Sequence, residues 1–165
     1  MNSLFKLILA ATLIFTISSC SSTYYIVRHA EKLPNQQLSP AGFDRADDLW
    51  EALSNKNIDE VYTTHLQRTI DTAQPTVDGS GIVPNVIPAH DVPQLVKRLR
   101  LTSKKNILVV GHSDTVPRII DSLMLSPQNI NISKQYDNLF IIEVKKSNGT
   151  RIPTLTQTTY GVPTP

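Results

Sequence analysis

The sequence predicts an α/β domain of three layers, helix–sheet–helix, with a mostly parallel central sheet and a C-terminal antiparallel hairpin. Three observations lead there. Short, continuously apolar, β-rich runs such as Tyr24–Val27 and Ile107–Val110 read as strands buried on both faces. Helical patterns of about 10–15 residues separate these runs, the spacing of parallel strands joined by crossovers. The last two β-rich runs are joined only by Ser147-Asn148-Gly149-Thr150, a hairpin turn.

Each element has its own signal. Tyr24–Val27 is the first strand. Ser39 then offers an N-cap and Pro40 a first helical residue. Phe43, Ala46, Leu49, Trp50 and Leu53 follow at helical spacing as a core-facing stripe, and Arg45 falls on a solvated or helix-pairing face. Residues 58–64 read as a second strand and His65–Ala73 as a helix ending near Pro75. Asp78-Gly79-Ser80-Gly81 reads as a loop. Val86-Ile87 is a weaker third strand, and Leu95, Val96 and Leu99 mark a helix after Pro93. Residues 107–110 form the clearest strand, followed by a helix from Ser113 to Met124 with Pro117 near its first turn. Leu139–Val144 and Arg151–Thr159 complete the pattern as the hairpin strands.

The first twenty residues read as an address. Lys6 precedes an apolar run of 11 residues, Leu7–Ile17, and Ser18 and Ser19 follow, the layout of a secretory signal. As a helix the run spans about 16 Å, short of the roughly 30 Å hydrocarbon core. Ile17-Ser18-Ser19-Cys20 resembles the lipobox of bacterial lipoproteins. That resemblance implies a signal peptide over 1–19, lipidation at Cys20, and a single exported domain over 20–165 held on a membrane by its lipid.

The chain of 165 residues suits one domain with a real core. Its net charge of +2 argues against a nucleic-acid binder, which would show a basic stripe. A single cysteine excludes an internal disulfide and a cysteine-based zinc site. Removing residues 1–19 takes away only Lys6 and leaves 15 basic and 14 acidic residues. Anchoring is therefore not expected to depend on a polybasic patch.

In an open α/β sheet, ligands bind beyond the carboxyl ends of the strands. Arg28-His29-Ala30-Glu31 follows the first strand, and Thr63 to Ala73, with His65 and Arg68, follows the second. His90 and Asp91 follow the third, and Gly111-His112-Ser113-Asp114 the fourth. All four histidines lie at these exits. Such a cluster suits phosphoryl transfer: a neutral imidazole is a competent nucleophile near pH 7. The planar fork of arginine matches phosphate oxygens, and a carboxylic acid can protonate a departing alkoxide.

Arg28-His29-Ala30-Glu31, the Thr-Thr-x-x-x-Arg-Thr-x-x-Thr-Ala run ending at Ala73, and Gly111-His112-Ser113 resemble the three signatures of the histidine phosphatase superfamily. Its small RHAE-type branch, with a phosphoglycerate mutase-like fold, is the most similar. The resemblance implies His29 as the nucleophile that becomes phosphohistidine and Arg28 and Arg68 as phosphate ligands. It implies His112 as the residue that completes the pocket, and neither a metal nor an organic cofactor. Asp91, Glu31 and Asp114, in that order, are the candidates for the proton donor, because Ser113 interrupts the histidine–aspartate pattern.

The expected function is therefore a lipid-anchored, extracytoplasmic phosphatase for small phosphate monoesters. Two other readings remain at this point. One is a lipoprotein that binds a phospholigand without turnover, its acid site degenerate. The other is a metal-binding lipoprotein using its histidines, which the two arginines oppose by repelling a dication.

Overall fold

The computed structural model describes residues 21–164. The expected signal peptide over 1–19 and the expected lipidation site Cys20 lie outside the described residues. The elements run β1 (Ser21–Arg28), α1 (Pro40–Leu53), β2 (Glu60–Thr64), α2 (Gln67–Ser80), β3 (Asn85–Ile87), α3 (Val92–Leu101), β4 (Asn106–Gly111), α4 (Thr115–Met124), β5 (Asn138–Ser147) and β6 (Thr150–Thr159). The six strands form one sheet in the order β3-β2-β4-β1-β5-β6. The β3–β2, β2–β4 and β4–β1 pairs are parallel, and the β1–β5 and β5–β6 pairs antiparallel.

Alternation along the buried strands builds two cores, because successive side chains point to opposite faces. Tyr25, Val27, Leu108 and Val110 meet Leu49 and Leu53 of α1 and Ala73 of α2. Tyr24, Ile26, Ile107 and Val109 meet α3 and α4 through residues such as Leu99 and Ile120. The result is the expected three layers. Steps from β1 to β2 to β3 run one way across the sheet with helices on one face. The step back to β4 carries α3 on the other face, as right-handed crossovers require. The adjacent strands β1 and β4 thus send their helices to opposite sides, which opens a crevice at their carboxyl ends.

The structure corrects several sequence expectations. Pro75 does not end its helix: α2 continues to Ser80. The missing N–H and the steric penalty of proline are offset by packing, with Thr72, Ala73 and Thr76 buried and the Trp50 ring against Gly79. Phe43 leaves the core stripe and is 52% exposed. Arg45 is buried rather than solvated, in an ion pair with Glu31 at 2.6 Å. The hairpin turn is as expected: Asn148 and Gly149 both have positive φ, 50° and 77°, the requirement of a tight primed turn. Pro153 stands on β6, an edge strand, where a missing N–H is tolerated.

Ser39 caps α1, accepting from the Gly42 N–H at 3.1 Å, while its own N–H donates to the Glu31 carbonyl at 2.9 Å. This clasp draws the chain just after His29 onto the first turn of α1. A methyl group at Gly42 would meet the Glu31 carbonyl oxygen at 2.1 Å, against rigid backbone. We expect Gly42→Ala to lower the unfolding free energy by about 1–3 kcal/mol, measured by urea denaturation. An unchanged midpoint would show that this approach is not needed.

Candidate active site

His29 is the first residue past β1. Its N–H donates to the Gly111 carbonyl at 2.9 Å, carrying the β1–β4 ladder one residue beyond the strand. The next N–H, of Ala30, donates to Thr72 Oγ1 at 2.9 Å, and Thr72 Oγ1 donates to the Arg68 carbonyl. Nδ1 of His29 lies 2.8 Å from the Ala30 carbonyl. A carbonyl only accepts, so Nδ1 carries the hydrogen and Nε2 presents its lone pair. The ring is 3% exposed, and its pKa is pushed down to about 3. Burial is the largest cause. The bond to Ala30 opposes it, and Arg28, Arg68 and His112 add to it.

His112, the first residue past β4, faces His29 with ring centroids 5.5 Å apart at 61°. It too is buried, and desolvation, then Arg68, lowers its pKa to about 4. Its tautomer follows from its partners. Arg68 Nη2 can only donate to Nδ1, at 3.4 Å, so Nε2 carries the hydrogen and donates to Thr64 Oγ1 at 3.2 Å. Thr64 Oγ1 donates in turn to Thr69 Oγ1 at 2.9 Å, and Thr69 donates to the Leu66 carbonyl at 2.8 Å. A one-way chain of hydroxyls therefore fixes the imidazole, and its unprotonated nitrogen is the one beside Arg68.

The two arginines are held differently. Arg28 Nη1 donates to the carbonyls of Ile132, Ser133 and Gln135, and Nη2 to the Tyr136 hydroxyl. The guanidinium also lies over the Tyr136 ring, 3.9 Å from its centroid. Arg28 thereby pins the segment between α4 and β5 above the site. Arg68 Nη1 reaches only the carboxamide of Gln36, at 3.2 Å. The Nε–H groups of both Arg28 and Arg68 are buried without a partner.

The candidate proton donors separate. Glu31 is committed to Arg45, whose Nε and Nη2 both donate to its carboxylate at 2.6–2.8 Å. Asp91 caps α3, accepting from the Gln94 N–H at 3.1 Å. Both therefore have structural duties that their sequence positions do not reveal. Asp114 pairs with His90 at 3.3 Å, and the two side chains are 56% and 72% exposed. The His90 ring lies 6.2 Å from the His112 ring, which places this pair at the rim of the histidine cluster. His65 is exposed.

Residues 24–91 match the model of the histidine phosphatase superfamily, branch 1. Arg28, His29, Arg68 and Asp91 fall inside the matched stretch, and His112 beyond it. A search of curated proteins gives no match. Solved structures extend the likeness of fold to most of the chain. The protein histidine phosphatase SixA complexed with tungstate is 16% identical, covering 83% of this chain and 96% of its own, with a TM-score of 0.65. A phosphoserine phosphatase from Entamoeba histolytica is 17% identical, covering 84% and 96%, at 0.60. A mycobacterial glucosyl-3-phosphoglycerate phosphatase is 12% identical, covering 81% and 96%, at 0.65.

Sequence reasoning missed Tyr136, whose ring stands 6.2 Å from that of His29. No strand exit or motif marks it, and only the contact with Arg28 reveals it. The sequence places His90 only at the exit of the third strand, and its pairing with Asp114 depends on two different loops meeting.

Both buried imidazoles have folded pKa values below the ordinary 6.5, so the unfolded chain takes up protons that the folded chain refuses. Stability therefore falls as pH falls below about 6.5, by about 1.4 kcal/mol per pH unit for each group, until pH reaches their folded values. Urea midpoints at pH 6.5 and 4.5 check this. The double variant His29→Gln/His112→Gln is expected to show a clearly flatter slope, and an equal slope would contradict it.

Proposed function

We propose that this chain is an exported, lipid-anchored phosphatase of the small RHAE-type branch, hydrolysing phosphate monoesters through a phosphohistidine on His29. One observation carries the reading: two neutral imidazoles face each other between two arginines whose buried Nε–H groups lack partners. An oxyanion supplies acceptors for those donors and a charge complementary to the guanidinium groups. The similar folds of solved phosphatases support it.

In the first step the Nε2 lone pair of His29 attacks phosphorus and the ester P–O bond breaks. The departing alkoxide takes a proton from the His90–Asp114 pair. Arg28 and Arg68 hold the equatorial oxygens, and electrostatic stabilisation of this kind dominates phosphoryl transfer. In the second step water attacks the phosphohistidine, its proton returns to the His90–Asp114 pair, and the P–N bond breaks to release inorganic phosphate. The Thr64–Thr69 chain keeps His112 in one orientation throughout.

A second reading, phospholigand binding without turnover, is favoured by one fact: Glu31 and Asp91 are both otherwise engaged. Hydrolysis of an activated aryl phosphate by the purified full-length chain, with chelator present, separates the two. Chelator-resistant turnover, abolished in His29→Ala, is expected. Phosphate binding without turnover in the wild type would establish the binding protein instead.

Two further variants test the assigned roles. Asp114→Asn should slow poor leaving groups by about 10²–10⁴-fold and activated ones little; equal effects on both would remove the pair from the proton path. Thr69→Val should lower kcat with KM nearly unchanged, and Thr69→Ser should restore it. A change in KM alone would remove Thr69 from the support of His112.

A further inference from the structure

The near-balance of 16 basic and 14 acidic residues conceals a segregation that the fold creates. The α1 and α2 layer carries Asp44, Asp47, Asp48, Glu51, Asp71 and Asp78, while its two basic residues, Arg45 and Arg68, turn toward Glu31 and His112. Helix α3 carries Lys97, Arg98 and Arg100 and no acidic residue. Its end is tied to the hairpin: Arg151 donates to the Arg100 carbonyl at 3.0 Å and to the Tyr24 hydroxyl at 3.1 Å. The hairpin brings Lys145 and Lys146 to the same end of the sheet. The turn bearing Lys104 joins them there, with the Thr23 N–H bonded to the Lys105 carbonyl.

Lys97, Arg100, Lys104, Lys145 and Lys146 are all exposed, and among the described residues none forms an ion pair. Leu101, 77% exposed, stands among them. Of the acidic residues nearby, Glu60 is taken by Lys105, while Asp59, which accepts from the Asn106 N–H, and Glu143 are the two exposed exceptions. The basic face surrounds the amino end of β1, where Ser21 pairs with Lys145. Cys20 and the apolar run of residues 7–17 connect at this point.

We infer that this face rests on an anionic lipid bilayer and turns the catalytic crevice away from it. The tether in this arrangement rests on the lipid-anchor reading above, whereas the charged face stands independently of it. His29 follows the opposite end of β1, about 25 Å away at roughly 3.3 Å per residue. The site therefore addresses water-soluble phosphate monoesters, not phosphorylated headgroups of the bilayer that holds it. Each basic group near an anionic surface strengthens attachment about fivefold, so the five exposed cations together outweigh thermal reorientation of a singly tethered domain.

The test uses the full-length chain in vesicles of phosphatidylcholine alone or mixed with phosphatidylglycerol. Lysine acetylation is read by mass spectrometry. Lys104, Lys145 and Lys146 should be protected about tenfold or more in the mixed vesicles at low salt. High salt should abolish the protection, and Lys134, beside the crevice, should label equally in both. Equal labelling of the three lysines in both compositions, or matching protection of Lys134, overturns the inference. Failure to float with neutral vesicles would remove the anchor, while salt-sensitive binding to anionic vesicles would still support the face. Phosphatidic acid placed in the same vesicles should survive while a soluble aryl phosphate is hydrolysed. Its rapid hydrolysis overturns the orientation, and inertness toward both substrates would instead count against the phosphatase reading.

Discussion

The parallel pairing of β1 with β4 fixes the geometry of the site. Arg28 lies opposite Gly111 in the register, and the two histidines are the next residues of their strands. Both strands are buried on both faces, so a slip of one residue would send Tyr24 and Ile26 into the wrong layer. Core packing of buried apolar side chains thus sets the separation of two imidazoles that stand just beyond the ends of their strands. The neighbouring topology supplies the rest, since helices leaving β1 and β4 on opposite faces clear space above the pair.

Within that space the electrostatics are one-sided. Two guanidinium groups and two buried imidazoles gather, while of the carboxylates close in sequence Glu31 is diverted to Arg45 and Asp114 stands at the rim with His90. Burial, reinforced by this positive potential, suppresses protonation of both histidines, and the same potential attracts anions. Arg28 has a second duty, because its contacts with residues 132–136 make it a strut for the covering segment.

Much of this was legible in the sequence, for physical reasons. Buried strands advertise themselves as apolar runs, and chemistry collects where those runs stop, so the strand exits drew together Arg28, His29, His65, Arg68, His90, Asp91 and His112, and the motif resemblance singled out four of them. Elements set by tertiary contact were not legible. Pro75 reads as a stop signal until Trp50 is seen against Gly79, and Arg45 reads as a solvated charge until Glu31 is placed beside it. Asp91 has the residue type of an acid and, equally, that of a helix cap; only the bond to Gln94 decides which use it has here. The segment carrying Tyr136 has no periodicity, so nothing announced that it would close over Arg28. The segregation of charge was invisible for a related reason: a sum over the chain discards the direction in which each side chain points.

The central place of β1 in the sheet has a kinetic consequence. It is the earliest described strand to leave a ribosome or a translocation pore, yet both of its neighbours are late. Tyr24 must wait for Ile107 on one side and Ile142 on the other. Until then a strand with an apolar centre, Tyr24–Val27, and two open edges has to be kept from pairing elsewhere, and contacts so distant in sequence form slowly. A chain of this design emerges with His29 early and no structure yet to hold it, and the candidate site takes shape only when the hairpin near its other end arrives.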